Sequence, residues 1–416
     1  MTAAKQGSWF RWSEEQWSPD LSRPGPRRAR QGAIIRAYVP QSIRDLDLRL
    51  SQQTLAAVAD AEVRVAAAQA HADRVGVSTI AGQLMRSEAI ASSQMEGIAT
   101  PGNRALARAL MNADAGPGRP TAPAAATMAN IAAVRGAYER AVVSNGPLLT
   151  EDIKATHAAI AQSDRWLLQH AGQVRESQNW IGFDSATPVG AEFVPPPARL
   201  VEELLEDLSA FCSRTDVSPM LQAAVAHAQF ETIHPFADGN GRVGRTLIGE
   251  ILCRGGLARE VVPPTSLVLA GDREAYVAGL TSWRFDDEGP DRWITLLAEA
   301  VEQAATGSIQ LADEVAHLQR TWQRASAHRR SDATTRALIP LLPAHPMITA
   351  ETAARLLGRS YETGRVAVQQ LEVDGVLAQV TIGKRNRAYE TVGLFALVDK
   401  LEHQLSAGRI RTATTQ

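Results

Sequence analysis

Apolar residues recur at helical spacing along most of the chain, and the pattern breaks where glycine and proline cluster. From Leu48 to Ile98 the sequence is alanine-rich, with Leu55, Val58, Val63 and Val65, then Ile80, Leu84, Ile90 and Met95, at spacings that predict two or three helices. Breaks at "TPGN" and "AGPGRPTAP" end this region, and helical periodicity returns through "AATMANIAAVRGAYERAVV" and "LVEELLEDLSAFC". The pattern therefore predicts a mainly α fold.

Three stretches depart from it. Residues 1 to about 47 are rich in Pro, Arg, Gly and Trp and too poor in periodic apolar positions for a helix, which predicts an arm laid over the surface. From Gly172 to Leu200, short Val, Trp, Ile and Phe runs are parted by Gly, Asp and Pro, as in a small hairpin. Pro195 to Pro197 cannot donate ladder hydrogen bonds, so a strand ending at Val194 stops there or lies on an edge, where a visiting peptide can pair with it. Beyond about residue 331, Thr349 caps one expected helix and Ser360 a second, and "VLAQVTIGKRNRAYET" reads as strand, basic turn and strand. Helix, turn, helix and wing in that order predict a winged-helix domain.

Composition narrows the class without changing the fold. The 416 residues are 45% hydrophobic, enough for two or three domains, and the formal charge of -2 provides no global field toward nucleic acid or membrane. The first residues lack the apolar core of a signal peptide, and no stretch runs about 18 apolar residues without charge, so a cytoplasmic protein without membrane contact is expected. Cys212 and Cys253 have no CxxC partner and read as buried thiols.

The chemistry concentrates in "HPFADGNGRVGR", His234 to Arg245. Gly239, Gly241 and Gly244 spell GxGxxG, but a dinucleotide turn needs a strand before it and βαβ alternation around it. The preceding "LQAAVAHAQFETI" is helical, with Leu221, Val225 and Ala228 near one face, and Pro235 stops it. The residues fit another site. Glycines around Asn240 let the backbone turn its N–H groups inward, and a helix starting near Arg242 adds its own N–H groups and positive dipole end. Arg242 and Arg245, three apart, can turn both guanidinium groups to one polyphosphate, and Asp238 offers a hard oxygen to Mg²⁺. His234 can take a proton from an attacking hydroxyl.

At these residues the chain resembles the Fic family, whose signature HPFx[DE]GNGRxxR is matched at every specified position. The resemblance implies an all-helical core with a hairpin flap and transfer of AMP from ATP to a protein Ser, Thr or Tyr hydroxyl. By it His234 is the general base, Asp238 holds Mg²⁺, Asn240 with the backbone of Gly239 and Gly241 grips the α-phosphate, Arg242 contacts the following phosphate and Arg245 the γ-phosphate. Phe236 anchors the loop and Pro235 fixes its start. The segment "EFVPPP", with Phe193 and Val194, resembles the flap that registers a target strand. Upstream, "SSQMEG" fits the family's inhibitory pattern through Ser92, Glu96 and Gly97, in the class whose inhibitory helix is N-terminal. Glu96 falls in the last turn of a helix that Gly97 ends, where the dipole disfavours negative charge, and the resemblance pairs it with Arg245.

The expected organisation is an N-terminal arm and helical region with the inhibitory helix (1–105), a Fic catalytic core (106–310), a linker helix (311–335) and a winged helix (336–416). The wing carries Lys384, Arg385 and Arg387, whereas Glu362, Glu372 and Asp374 on the second helix repel DNA, which favours dimerisation or a protein partner. The sequence thus predicts an autoinhibited protein adenylyltransferase using ATP and Mg²⁺, able to modify itself when released. Removal of AMP, transfer of another nucleotide, and a nucleotide-sensing DNA-binding regulator stay open as alternatives.

Overall fold

The computed structural model describes residues 10–19, 30–75, 80–115, 121–144, 146–162, 166–182, 187–330, 334–382, 386–408 and 410. In chain order the first elements are β1 (Phe10–Trp17), β2 (Ala33–Pro40), α1 (Gln52–Val75), α2 (Ala81–Met95), α3 (Asn103–Ala115), α4 (Ala122–Ser144), α5 (Thr150–Ala161) and α6 (Val201–Cys212). Then come α7 (Pro219–Ile233), α8 (Asn240–Arg254), α9 (Thr265–Gly271), α10 (Arg273–Phe285), α11 (Gly289–Ala325) and α12 (Thr334–Leu338). The chain closes with β3 (Met347–Ile348), α13 (Ala350–Leu357), α14 (Tyr361–Val373), β4 (Leu377–Ile382), β5 (Asn386–Thr391) and α15 (Leu394–Ala407). The fold is mainly helical. Two compact units form, both assembled from separated stretches of chain. One takes the described residues up to Ala59, Ala132–Gly256 and Glu274–Ala298; the other takes Asp60–Ile131, Leu257–Arg273 and the described residues from Glu299 onward.

The first unit is organised around α7. Pro219 occupies its first turn, where a missing N–H costs nothing, and Met220 and every residue from Gln222 to Ile233 are buried, so the helix is covered on all sides rather than along one face. Phe211, Phe230, Phe236 and Trp293 are fully or almost fully buried in this unit, and the Trp293 indole N–H donates to the Ala224 carbonyl at 2.8 Å. The N-terminal stretch expected to be an arm instead contains β1 and β2, paired antiparallel from Phe10 opposite Pro40 to Trp17 opposite Ala33. Tyr38 secures the sheet, stacking on Phe10 at 4.5 Å and donating its hydroxyl to the Arg284 carbonyl. The expected hairpin between Gly172 and Leu200 is reduced, among the described residues, to one antiparallel bridge, Ile181 to Phe193. Val194 is the last residue before the three prolines, and its carbonyl accepts the Tyr38 N–H at 2.9 Å.

In the second unit α2 is held along its length. The Glu88 carboxylate accepts the Ser266 N–H at 2.7 Å and the Ser266 hydroxyl, Ser87 donates to Glu402 of α15 at 2.6 Å, and Gln83 donates to the Pro343 carbonyl at 3.0 Å. Asn130 donates to the Ala89 carbonyl and the Ser93 hydroxyl. Ile80 and Leu84 share a core with Leu311, Val315, Leu394 and Leu401. On the far side of the 96–102 turn, Ala107 of α3 packs with Met347 and Phe395, and Arg104 pairs with Glu390 at 2.9 Å. The C-terminal elements follow the expected order. Thr349 caps α13 by accepting the Thr352 N–H, Ser360 caps α14 by accepting that of Thr363, and the strands form an antiparallel sheet in the order β3-β5-β4. Lys384 and Arg385 of the expected wing lie outside the described residues, and Arg387 is exposed.

Candidate active site

Helix α7 ends at His234, whose backbone is left-handed (φ 51°), the sole positive φ at a non-glycine among the described residues. Five residues later the chain turns left-handed again at Gly239 (φ 79°), and α8 begins. The first backbone bond of α8 runs from the Val243 N–H to the Gly239 carbonyl, so the N–H groups of Asn240, Gly241 and Arg242 lead the helix ahead of it. The structure thus places a helix start where the sequence predicted one, and a helix start of this kind can receive an anion.

The loop between is tied to itself. The Asn240 side chain accepts the Phe236 N–H at 2.8 Å and donates to the Phe236 carbonyl at 2.8 Å, closing a ring across the turn. Its amide is thereby engaged by the loop backbone, and Phe236 is fully buried as expected of an anchor. Asp238 is exposed, one carboxylate oxygen accepting the Gly239 N–H at 2.6 Å. No group of three metal-ligating side chains occurs among the described residues. A single exposed carboxylate still suits Mg²⁺, which takes one or two carboxylates with phosphate oxygens. Arg242 and Arg245 are both buried, at 6% and 3% exposure, and Gly241 is half-buried beside them.

The third glycine has a packing role. A Cβ on Gly244 would stand 2.3 Å from a Glu231 carboxylate oxygen and 3.0 Å from the Phe230 ring, so the absent side chain is what lets α8 approach α7. His227 of α7 completes that contact. Its Nδ1–H donates to the Gly244 carbonyl at 2.7 Å, leaving Nε2 to accept the Tyr276 hydroxyl at 3.0 Å. Burial brings the His227 pKa down to about 3, so the ring is neutral at neutral pH.

Several residues around the loop went unnoticed in the sequence. Glu231 is buried, with a carboxylate oxygen 4.0 Å from His234 Nδ1; its place one turn before His234 is a signal that helical spacing offers. His157 of α5 stacks flat on Phe236, centroids 3.9 Å apart and planes within 2°. Its Nδ1 accepts the Gly172 N–H, so Nε2 carries the proton and donates to the Asp238 carbonyl at 3.2 Å. Burial lowers its pKa to about 4. Arg175 donates from Nε to the His234 carbonyl at 2.9 Å, and Asn179 donates to the carbonyls of His234 and Phe236. No local pattern marks His157 or Arg175.

The flap residues Phe193 and Val194 belong to the same unit. Phe193 is buried beneath the Arg284 guanidinium, whose carbon lies 4.1 Å from the ring centroid, and both its main-chain groups bond to Ile181. Ser92, Glu96 and Gly97 lie in the other unit. Ser92 is buried on α2, Glu96 caps its C-terminus and is exposed, and Gly97 turns left-handed (φ 73°), ending the helix as expected.

A helical core here presents a histidine and a glycine-flanked helix start on one short loop. The chain matches the family described as Fic/DOC over residues 147–252. It is 30% identical over 145 residues to protein adenylyltransferase fic-1 of Caenorhabditis elegans, covering 35% of this chain and 26% of that protein. A probable protein adenylyltransferase of Aquifex aeolicus is 36% identical over 92 residues, 22% of this chain and 26% of its own length. The chain thus spans about a quarter of the length of these relatives. A solved Fic family protein from Desulfovibrio desulfuricans superposes with a TM-score of 0.49 at 19% identity, over 83% of this chain and 98% of that one.

Proposed function

We propose that the chain is an autoinhibited protein adenylyltransferase that moves AMP from ATP to a hydroxyl side chain of a protein target. The observation that carries this reading is the His234 to Arg245 loop, where a histidine held left-handed at the end of a buried helix stands just ahead of a second helix's N-terminus. In the proposed step His234 accepts the proton of the target hydroxyl, whose oxygen bonds to the α-phosphorus as pyrophosphate departs. Glu231 facing Nδ1 favours a proton on that nitrogen and leaves Nε2 as the base. The leading N–H groups of α8 and the guanidinium groups of Arg242 and Arg245 are the donors for phosphate oxygens, and their burial strengthens them by excluding water. Asn240 serves by holding the loop closed. Asp238 would hold Mg²⁺, which supplies charge neutralisation on the phosphates when bound.

Target docking at Phe193 and Val194 is proposed within limits set by their own bonds. Both main-chain groups of Phe193 and the Val194 carbonyl are engaged, so strand addition uses other groups of that segment. In the C-terminal module Arg365 is paired with Glu362 on α14, which leaves that helix without net positive charge and supports a protein partner over DNA.

Glu96 is the proposed restraint on Arg245. Because Glu96 is exposed, an ion pair alone would contribute about 0–1 kcal/mol, a restraint of roughly five-fold at most. A larger release on removing Glu96 would mean that its carboxylate occupies the place of the γ-phosphate. The test is intact-mass analysis of wild type, Glu96→Gly, and Glu96→Gly with His234→Ala, each incubated with ATP and Mg²⁺. An AMP adduct strong in Glu96→Gly, weak in wild type and absent from the double variant is expected. Persistence of the adduct in the double variant would remove His234 as base.

A further inference from the structure

Arg175 is a buried cation outside the signature, and every hydrogen bond described for it goes to a backbone carbonyl. Its Nε donates to His234 at 2.9 Å, one terminal nitrogen to Ile233 at 3.4 Å and to Pro196, and the other to Ser177 at 3.1 Å. Its own N–H donates to the Pro235 carbonyl at 2.9 Å. Three consecutive carbonyls, 233 to 235, thus meet one residue at the negative end of α7, where a cation is favoured. Ser177 and Pro196 bracket the Ile181–Phe193 bridge, so the guanidinium joins both ends of the flap segment to the carbonyls of Ile233 and His234, while the Arg175 main-chain N–H holds that of Pro235. Burial lowers its pKa to about 10, and it remains charged at neutral pH.

We propose that Arg175 is the positioning residue of the reaction, holding His234 in its left-handed conformation and in register with the flap. A left-handed backbone at a non-glycine residue is unfavourable by itself and persists where its surroundings impose it. Here the His234 carbonyl receives Arg175 Nε and Asn179 Nδ2, so the flap segment supplies the donors that impose it. With Arg175 removed, His234 loses its fixed direction while the helix start, Arg242 and Arg245 keep theirs. The consequence is a selective loss of proton transfer, with nucleotide capture retained. This inference rests on the adenylyltransferase reading for its kinetic part and on geometry alone for its conformational part.

The experiment compares Arg175→Lys and Arg175→Gln with their parent, Glu96→Gly. Lysine keeps the charge in the buried position and guards against failure to fold, but it cannot span the carbonyls as the guanidinium does. In protein labelled with ¹⁵N-histidine, the His234 ring signals, assigned by their loss in His234→Ala, are expected to shift or broaden in both variants, while those of His227, held by Gly244 and Tyr276, stay in place. Self-adenylylation followed by intact mass is expected to slow roughly a hundred-fold, with the half-saturating ATP concentration within about three-fold of the parent. Unmoved His234 signals would overturn the proposal whatever the activity. So would a rate loss matched by an equal loss of ATP affinity, which is what general loosening of the fold produces. Moved signals in a protein whose Glu96→Gly parent forms no AMP adduct would uphold the positioning role and refute self-adenylylation instead.

Discussion

Glu250 shows how much one buried side chain sets the behaviour of α8. It is fully buried, and burial pushes its pKa up to about 7 despite Arg254 at 3.0 Å. Asp152 and Arg140 also act on it, and the thiols of Cys212 and Cys253, themselves raised to about 12 by burial, lie within its field. The native state therefore keeps a proton that the unfolded state releases near pH 4.5, and the stability contributed by Glu250 falls as pH rises from about 4.5 to 7. His157 and His227 act in the opposite sense, since both are buried neutral and their contribution is lost as pH falls below about 6.5. Replacing Glu250 with Gln isolates its share: relative to wild type, the variant should gain about 3 kcal/mol between pH 4.5 and 7.5 in urea unfolding. A constant difference across that range would refute the assignment. The contiguous candidate residues could be named from the sequence because they are local, twelve residues carrying a histidine, an acid, two guanidinium groups and a turn. Arg175 and His157 could not, since only tertiary placement brings them to the carbonyls of that loop.

Among the elements, those with local start and stop signals could be read directly. Thr349 and Ser360 were recognised as caps and accept the N–H groups of Thr352 and Thr363. Thr349→Ala should cost about 1 kcal/mol, seen as a lower urea midpoint; no change would mean that packing alone sets the start of α13. Elements defined by pairing were harder. β1 and β2 lie on either side of a Pro- and Arg-rich stretch whose composition dominated the reading, and their alternation matters only once Phe10 is set against Pro40. In α1 the buried positions include Val58, Ala61, Val65, Ala68 and Ala72, whereas Leu55 and Val63 are exposed. Of the four larger apolar residues that predicted this helix, Val58 and Val65 lie on the buried face, and alanines supply the rest of it.

At the scale of the molecule, chain order and compact units diverge, and periodicity carries no information about which distant helices gather. The second unit joins α2 and α3 to the C-terminal elements through the Leu84, Leu394 and Leu401 core, the Phe395 cluster, and the Ser87–Glu402 and Arg104–Glu390 bonds. A chain ended after Arg330 would strip these partners from α2 and α3. Limited proteolysis should then cut within residues 80–115, which the full chain protects; equal protection in both would show that this region stands without the C-terminal elements.

The interleaving also has a consequence in time. Every segment of the unit that holds His234 has been synthesised once Ala298 is made, whereas α15, which grips the helix bearing Glu96, is still to come. At roughly 5–20 residues per second, the ribosome needs on the order of ten seconds to supply it. For that interval a nascent chain can own a finished catalytic loop before its restraint has been fastened, so on the proposed reading the enzyme is least governed while it is being born.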